Sequence, residues 1–209
     1  GSTPFYCLIA RQGIPDMPLC ATVMAATALF ILAVEDDERP ASRRAVWTML
    51  GVCGGFVVLQ ALYDIVYFTR SPDLAIPKFP NPAFVLPALM AVLLLALWSR
   101  PWPRVRLLRM APITTMRQVY LLWAYAALGV SILAKGPPGV TVVVAVAFFY
   151  VALLGKWRDL WDGKFELKRG LLLMVAIFLP WHLGMWLKEG VHFIDEYIFT
   201  HILNRATAD

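Results

Sequence analysis

Apolar residues along the chain gather into six long blocks, approximately 18–34, 46–68, 83–99, 118–135, 140–154 and 170–187, divided by short polar or Pro/Gly-rich stretches. No block alternates apolar and polar residues with the two-residue period of a half-buried strand. A helix needs ~20 residues to cross ~30 Å of hydrocarbon, and shorter segments are accommodated by local thinning of the bilayer. The pattern therefore predicts an all-α, polytopic integral membrane helical bundle of about six spans. A further amphipathic segment at 190–206 is expected to lie along one face, and residues 1–209 are expected to form one partial transmembrane domain.

Composition excludes an ordinary soluble domain, since 60% of residues are hydrophobic, only 16% are charged and eight are Trp. The lipid bilayer is the first partner. Charge then orients the spans. If the first enters from outside, the loops at 35–45, 100–117 and 155–169 hold 13 of the 19 Lys and Arg, leaving six for the other side. By the positive-inside rule those three loops face the cytoplasm. A basic cytoplasmic face beside anionic headgroups accounts for the net charge of +5 with no nucleic-acid partner. Cys7, Cys20 and Cys53 lie in or beside apolar runs without metal-ligand spacing and read as small hydrophobes. The chain opens Gly1-Ser2-Thr3, with neither an initiator Met nor the basic start of a signal peptide, so it is expected to begin inside a longer protein.

This orientation puts four polar or Pro/Gly-rich stretches on the outer face: 11–18, 69–82, 135–139 and 188–209. Any chemistry is expected there. No Gly-rich nucleotide loop of Walker or Rossmann type follows a strand. An enzyme working outside the cytoplasm without nucleotides would take its activated group from a lipid carrier.

Three of the four stretches carry candidate site residues. Asp16, ahead of an apolar helix, reads structurally as an N-cap. Functionally, a carboxylate there can act as a general base, help to hold a divalent cation or orient a sugar hydroxyl, and the two roles are compatible. The requirement for a metal is left open by the sequence. Lys135 precedes Gly136-Pro137-Pro138-Gly139, a helix breaker between two apolar blocks. An unpaired charge at the edge of hydrocarbon costs kilocalories, so a phosphate is its expected partner. The prolines suit the first turn of the following helix, whose partial positive charge and free amides would add to the ammonium. The structural alternative is a snorkelling lysine beside a kink. In the last stretch Tyr197, His201 and Arg205 fall four apart on one helical face. Either these residues are incidental to an interfacial anchor, or His201 and Arg205 belong to the Lys135 site and contact a phosphate or sugar.

Taken together, Ala10-Arg11-Gln12-Gly13-Ile14-Pro15-Asp16-Met17-Pro18-Leu19, the Gly-x5-Lys-Gly-Pro element at 129–137 and the 193–205 segment ending His-x3-Arg resemble the multi-pass glycosyltransferases of the GT-C superfamily. The likeness is to the lipid A aminoarabinose transferase and protein O-mannosyltransferase-like branch, and covers about a third of the chain. It implies an enzyme of the cytoplasmic (inner) membrane that moves a sugar from a polyprenyl-phosphate-linked donor to a lipid or protein acceptor on the extracytoplasmic face. On that resemblance Asp16 matches the second acidic residue of the active site, with Arg11 near it. Lys135 matches the lysine facing the carrier phosphate, and His201 and Arg205 match the juxtamembrane element. The first outer loop, which holds the family's principal catalytic aspartate, is absent from this sequence. Residues 46–116 hold two spans and an outer loop where the family has one short cytoplasmic turn. Lys78 in that loop and Asp64 near the outer end of its span are candidates for recognising the acceptor, and Gln60 with Asp64 reads equally as a buried hydrogen-bonded pair one turn apart.

A transporter or flippase subunit for a lipid-linked or anionic substrate is the alternative, since transporters also aim broken-helix N-termini at anions. Transporters pair such breaks in two halves near the midplane, whereas here one break sits at an edge and no internal repeat is found. A non-catalytic membrane scaffold predicts no clustering of outer-face polar residues.

Overall fold

The computed structural model describes residues 16–35, 39–70, 88–89, 92 and 112–194. Seven helices account for nearly all of them: α1 (Asp16–Glu35), α2 (Arg43–Arg70), α3 (Met116–Lys135), α4 (Pro138–Leu153), α5 (Trp157–Trp161), α6 (Leu167–Glu189) and α7 (Val191–Ile194). No strand is formed among them, the nearest thing being a single antiparallel bridge between Pro40 and Thr115. Four helices, α1, α2, α3 and α6, are long and apolar enough to cross a membrane. The fifth expected span is α4, a helix of 16 residues and so roughly 24 Å long, short of a full hydrocarbon core. Of the sixth, 83–99, only residues 88, 89 and 92 are described, all helical. Six spans were expected, and the described residues supply four with one shorter apolar helix.

Helix starts follow local chemistry. Ser42 caps α2, its Oγ accepting from the Ala45 N–H at 3.1 Å. At α3 the Gln118 side chain reaches back so that Oε1 accepts from the N–H of Thr114 at 2.7 Å and of Thr115 at 3.2 Å. Backbone bonds from Ala41 to Thr114 and from Met116 to Arg39, both 2.8 Å, tie the loop before α2 to the start of α3.

Helix α3 is the centre of the bundle. Half of its spanning window is buried against protein, compared with 17% for α1 and for α2, and its broadest packing is with α1 and α6. Met49, Cys53 and Val57 of α2 meet Val119, Leu122 and Ala126 of α3 and Leu173 and Ile177 of α6 in one core. Cys53 is thus the small buried hydrophobe expected of it, and Cys20 is exposed; both are free thiols. Large apolar residues such as Leu59, Leu62, Val142, Val144 and Phe149 stay exposed, as lipid-facing surfaces require.

The contacts sort the connections into two ends. The 39–43, 112–118 and 154–169 segments share one end, joined by the Pro40–Thr115 bridge and by Gln118 hydrogen-bonded to Glu166. These belong to the three loops expected to be basic and cytoplasmic. The start of α1, the α3–α4 break and the last turns of α2 and α6 lie at the other end.

Candidate functional site

At that second end α3 stops at Lys135 because Gly136 takes φ 83°, its N–H closing onto the Ile132 carbonyl at 2.8 Å. Pro137 and Pro138 then open α4, as expected from their missing N–H groups. Lys135 is exposed beside that helix start. The anion-binding amides expected there are fewer than the sequence implied. Both prolines lack N–H, and the N–H groups of Val140 and Thr141 turn back onto the Pro137 carbonyl at 2.9 and 3.3 Å. What the turn offers an anion is the Lys135 ammonium and the helix dipole.

Gly139 draws α1 to the same place. A Cβ on it would stand 2.8 Å from Leu19 Cδ1, 3.0 Å from Ser131 Oγ and 3.0 Å from Val23 Cγ2, so α4 enters the bundle by pressing its backbone on the first turns of α1. Asp16 opens α1, one turn before Leu19, which brings two helix N-termini and Lys135 to one end. The Asp16 side chain, Arg11, Lys78, His201 and Arg205 lie outside the described residues, as do the outer loop at 71–82 and the 195–206 part of the juxtamembrane segment; only its first turn, α7, is described. Among the described residues no group of three or more His, Cys, Asp and Glu is placed to hold a metal ion.

Within the membrane part, Asp64 is buried on α2, in line with Val57 and Phe68. It is not bonded to Gln60 as that pairing would need: Gln60 Oε1 and Asp64 Oδ2 have no hydrogen-bond partner among the described residues. Gln60 lines a cavity of about 520 Å³ with Phe56, Leu59, Tyr63, Leu133 and Trp181. One turn beyond Asp64, Tyr67 accepts a hydrogen bond from Lys188 of α6, whose ammonium also lies 4.5 Å from the Tyr67 ring centroid.

The basic end holds a cluster that sequence reasoning missed. Glu166, buried and in the left-handed region at φ 50°, accepts from Gln118 Nε2 at 2.6 Å and from Arg169 Nη1 at 3.1 Å. Burial raises its carboxyl above the usual glutamate range, against the Gln118 hydrogen bond and the Arg169 charge that pull it down. Buried Arg117 lies over the Phe165 ring at 5.6 Å. Nearby, Asp159 is held below the usual carboxylate range chiefly by its hydrogen bond to Lys164, with Nζ–Oδ1 at 2.8 Å. Gln118 three residues after Thr115 was a legible capping signal, but its second partner, 48 residues away, was not. This cluster fastens the α3 and α6 starts together and offers no open reactive centre.

Comparison with known protein families, with curated proteins and with solved structures finds no match to this chain.

Proposed function

We propose that the chain is the membrane-embedded part of a glycosyltransferase of the cytoplasmic membrane, moving a sugar from a polyprenyl-phosphate carrier to a lipid or protein acceptor at its extracytoplasmic end. The observation that carries this reading is the α3–α4 break: an exposed Lys135 next to a helix N-terminus, at the end of the bundle away from the basic loops and beside the start of α1 at Asp16. Placement at an end favours an enzyme working at headgroup depth over a transporter, which places such breaks near the midplane. In this reading Lys135 binds the carrier phosphate, Asp16 acts as base or orients the acceptor, and Arg11, His201 and Arg205 serve to bind phosphate or sugar.

The departing phosphate gains charge as the sugar–phosphate bond breaks, so a fixed ammonium stabilises the transition state more than the ground state. Lys135→Ala is expected to slow transfer from the lipid-linked donor by a factor on the order of 10²–10³, the range seen when one preorganised donor is removed. The measurement is the initial rate in nanodiscs, with thermal stability as a folding control. Unchanged turnover by a well-folded Lys135→Ala protein would mean that the lysine only snorkels.

A further inference from the structure

Gly139 stands where three helices meet. A Cβ on it would lie 2.8 Å from Leu19 Cδ1 and 3.0 Å from Val23 Cγ2, both on α1, and 3.0 Å from Ser131 Oγ on α3. Gly139 is buried, and Ser131 is fully so. Only a residue without a side chain lets the first turn of α4 enter this gap. Further along the same seam Ala26, Leu128 and Val143, one from each of the three helices, share a core.

The neighbours of Gly139 are also neighbours of the candidate site. Ser131 precedes Lys135 by four residues on α3, which puts both on one helix face, about 6 Å apart along the axis. Leu19 follows position 16 by three residues on α1, again on one face, about 4.5 Å along the axis. Only Gly136 and Pro137 separate Lys135 from α4, so the backbone that carries the lysine moves with the seating of that helix. An unstrained carbon contact is ~3.5–4.0 Å, and a methyl on Gly139 would therefore drive its neighbours back by roughly 0.5–1 Å. Leu19 can swing its end aside. Val23 is β-branched and stiff, and Ser131 Oγ is held by donating to the Leu128 carbonyl at 2.8 Å, so the displacement falls on the way α4 sits against α1 and α3.

We propose that Gly139 is a positioning residue for sugar transfer: its bare backbone seats α4 against Ser131, Leu19 and Val23 and so sets the placement of the Lys135 ammonium relative to the start of α1. This inference rests on the reading of Lys135 as the phosphate-binding group.

The test is a double-mutant cycle in the whole protein in nanodiscs, with Gly139→Ala and Lys135→Ala alone and together, the initial transfer rate as readout and thermal stability as folding control. Gly139→Ala is expected to slow transfer roughly 10- to 100-fold, the scale of a displacement near 1 Å. In the Lys135→Ala background, where the positioned group is gone, the same change should cost less than about twofold. Adding Val23→Ala to Gly139→Ala removes the stiffest contact and should restore most of the rate. If Gly139→Ala does not fold, Ser131→Val, which crowds the same gap from α3, takes its place in the cycle with the same expectation. Loss of transfer in Lys135→Ala with none in a well-folded Gly139→Ala would leave the phosphate site standing and overturn only the role of Gly139. An equal cost of Gly139→Ala with and without Lys135 would make the glycine merely structural and overturn the proposal as well. Unchanged transfer by Lys135→Ala would remove the phosphate reading itself, and the proposal with it.

Discussion

Gly170 gives the sharpest test of how the bundle is packed. It lies in the first turns of α6 where the half-buried Tyr125 ring of α3 rests on its backbone, and a Cβ built there would stand 2.5 Å from Tyr125 Cγ and overlap Cδ2 and Cε2. The ring cannot yield freely, because its hydroxyl donates to the Phe165 carbonyl at 3.3 Å and its edge lines the apolar cavity of about 280 Å³ between α1, α3, α4 and α6. Gly170→Ala therefore forces a shift costing ~1–3 kcal/mol of overpacking and removes a hydrogen bond worth ~1 kcal/mol. The better helix propensity of Ala offsets up to ~1 kcal/mol of this, leaving a net loss of about 2 kcal/mol. In a Tyr125→Ala background the added methyl meets no ring, and the same substitution should be neutral or stabilising by up to ~1 kcal/mol. Unfolding in detergent by heat or by denaturing surfactant, followed by circular dichroism on all four proteins, reads the coupling directly. An equal cost of Gly170→Ala with and without Tyr125, or no cost at all, would refute this packing of α3 on α6.

Lys135→Arg should keep part of the transfer rate that Lys135→Ala loses, since charge survives while the point geometry changes; equal loss in both would argue against a phosphate contact made by charge. Because burial raises the Glu166 carboxyl above its ordinary value of about 4.5, folding favours its protonated form. The associated stability is full below that value and is lost as pH rises through the raised one. Glu166→Gln should flatten this dependence, and identical melting-temperature profiles from pH 4 to 8 for the two proteins would contradict it. Finally, single cysteines at positions 135 and 162, with Cys7, Cys20 and Cys53 replaced by Ala, should label from opposite sides of a sealed vesicle; labelling from one side would overturn the orientation.

The amino-acid sequence by itself determined the class of this protein and most of its helix limits, because both depend on local properties. Runs of apolar residues set the spans, Ser42 and Gln118 mark helix starts, and Gly136 with two prolines ends one helix and opens the next. The basic loops were likewise legible as one group, and Lys135 as the residue at the break. The rest depended on partners distant in the chain. Helices apolar nearly all round, such as α1, α4 and α6, carry no stripe to say which side meets protein, so the faces they bury emerge only from packing. Gly129, Gly139 and Gly170 could have been loose points in any helix. Only the opposing Ile177, Leu19 and Tyr125 make them close approaches. Asp64 read equally as an acceptor-recognition residue or as the partner of Gln60, because spacing shows proximity but not orientation, and Gln60 Oε1 and Asp64 Oδ2 have no partner among the described residues. Glu166 is the converse case: its neighbours in sequence suggested a solvated basic loop, and burial against Gln118, 48 residues away, made it part of the core instead. Hydropathy and turn chemistry act over a few residues, whereas the burial of a polar group is decided by whatever the whole bundle brings against it.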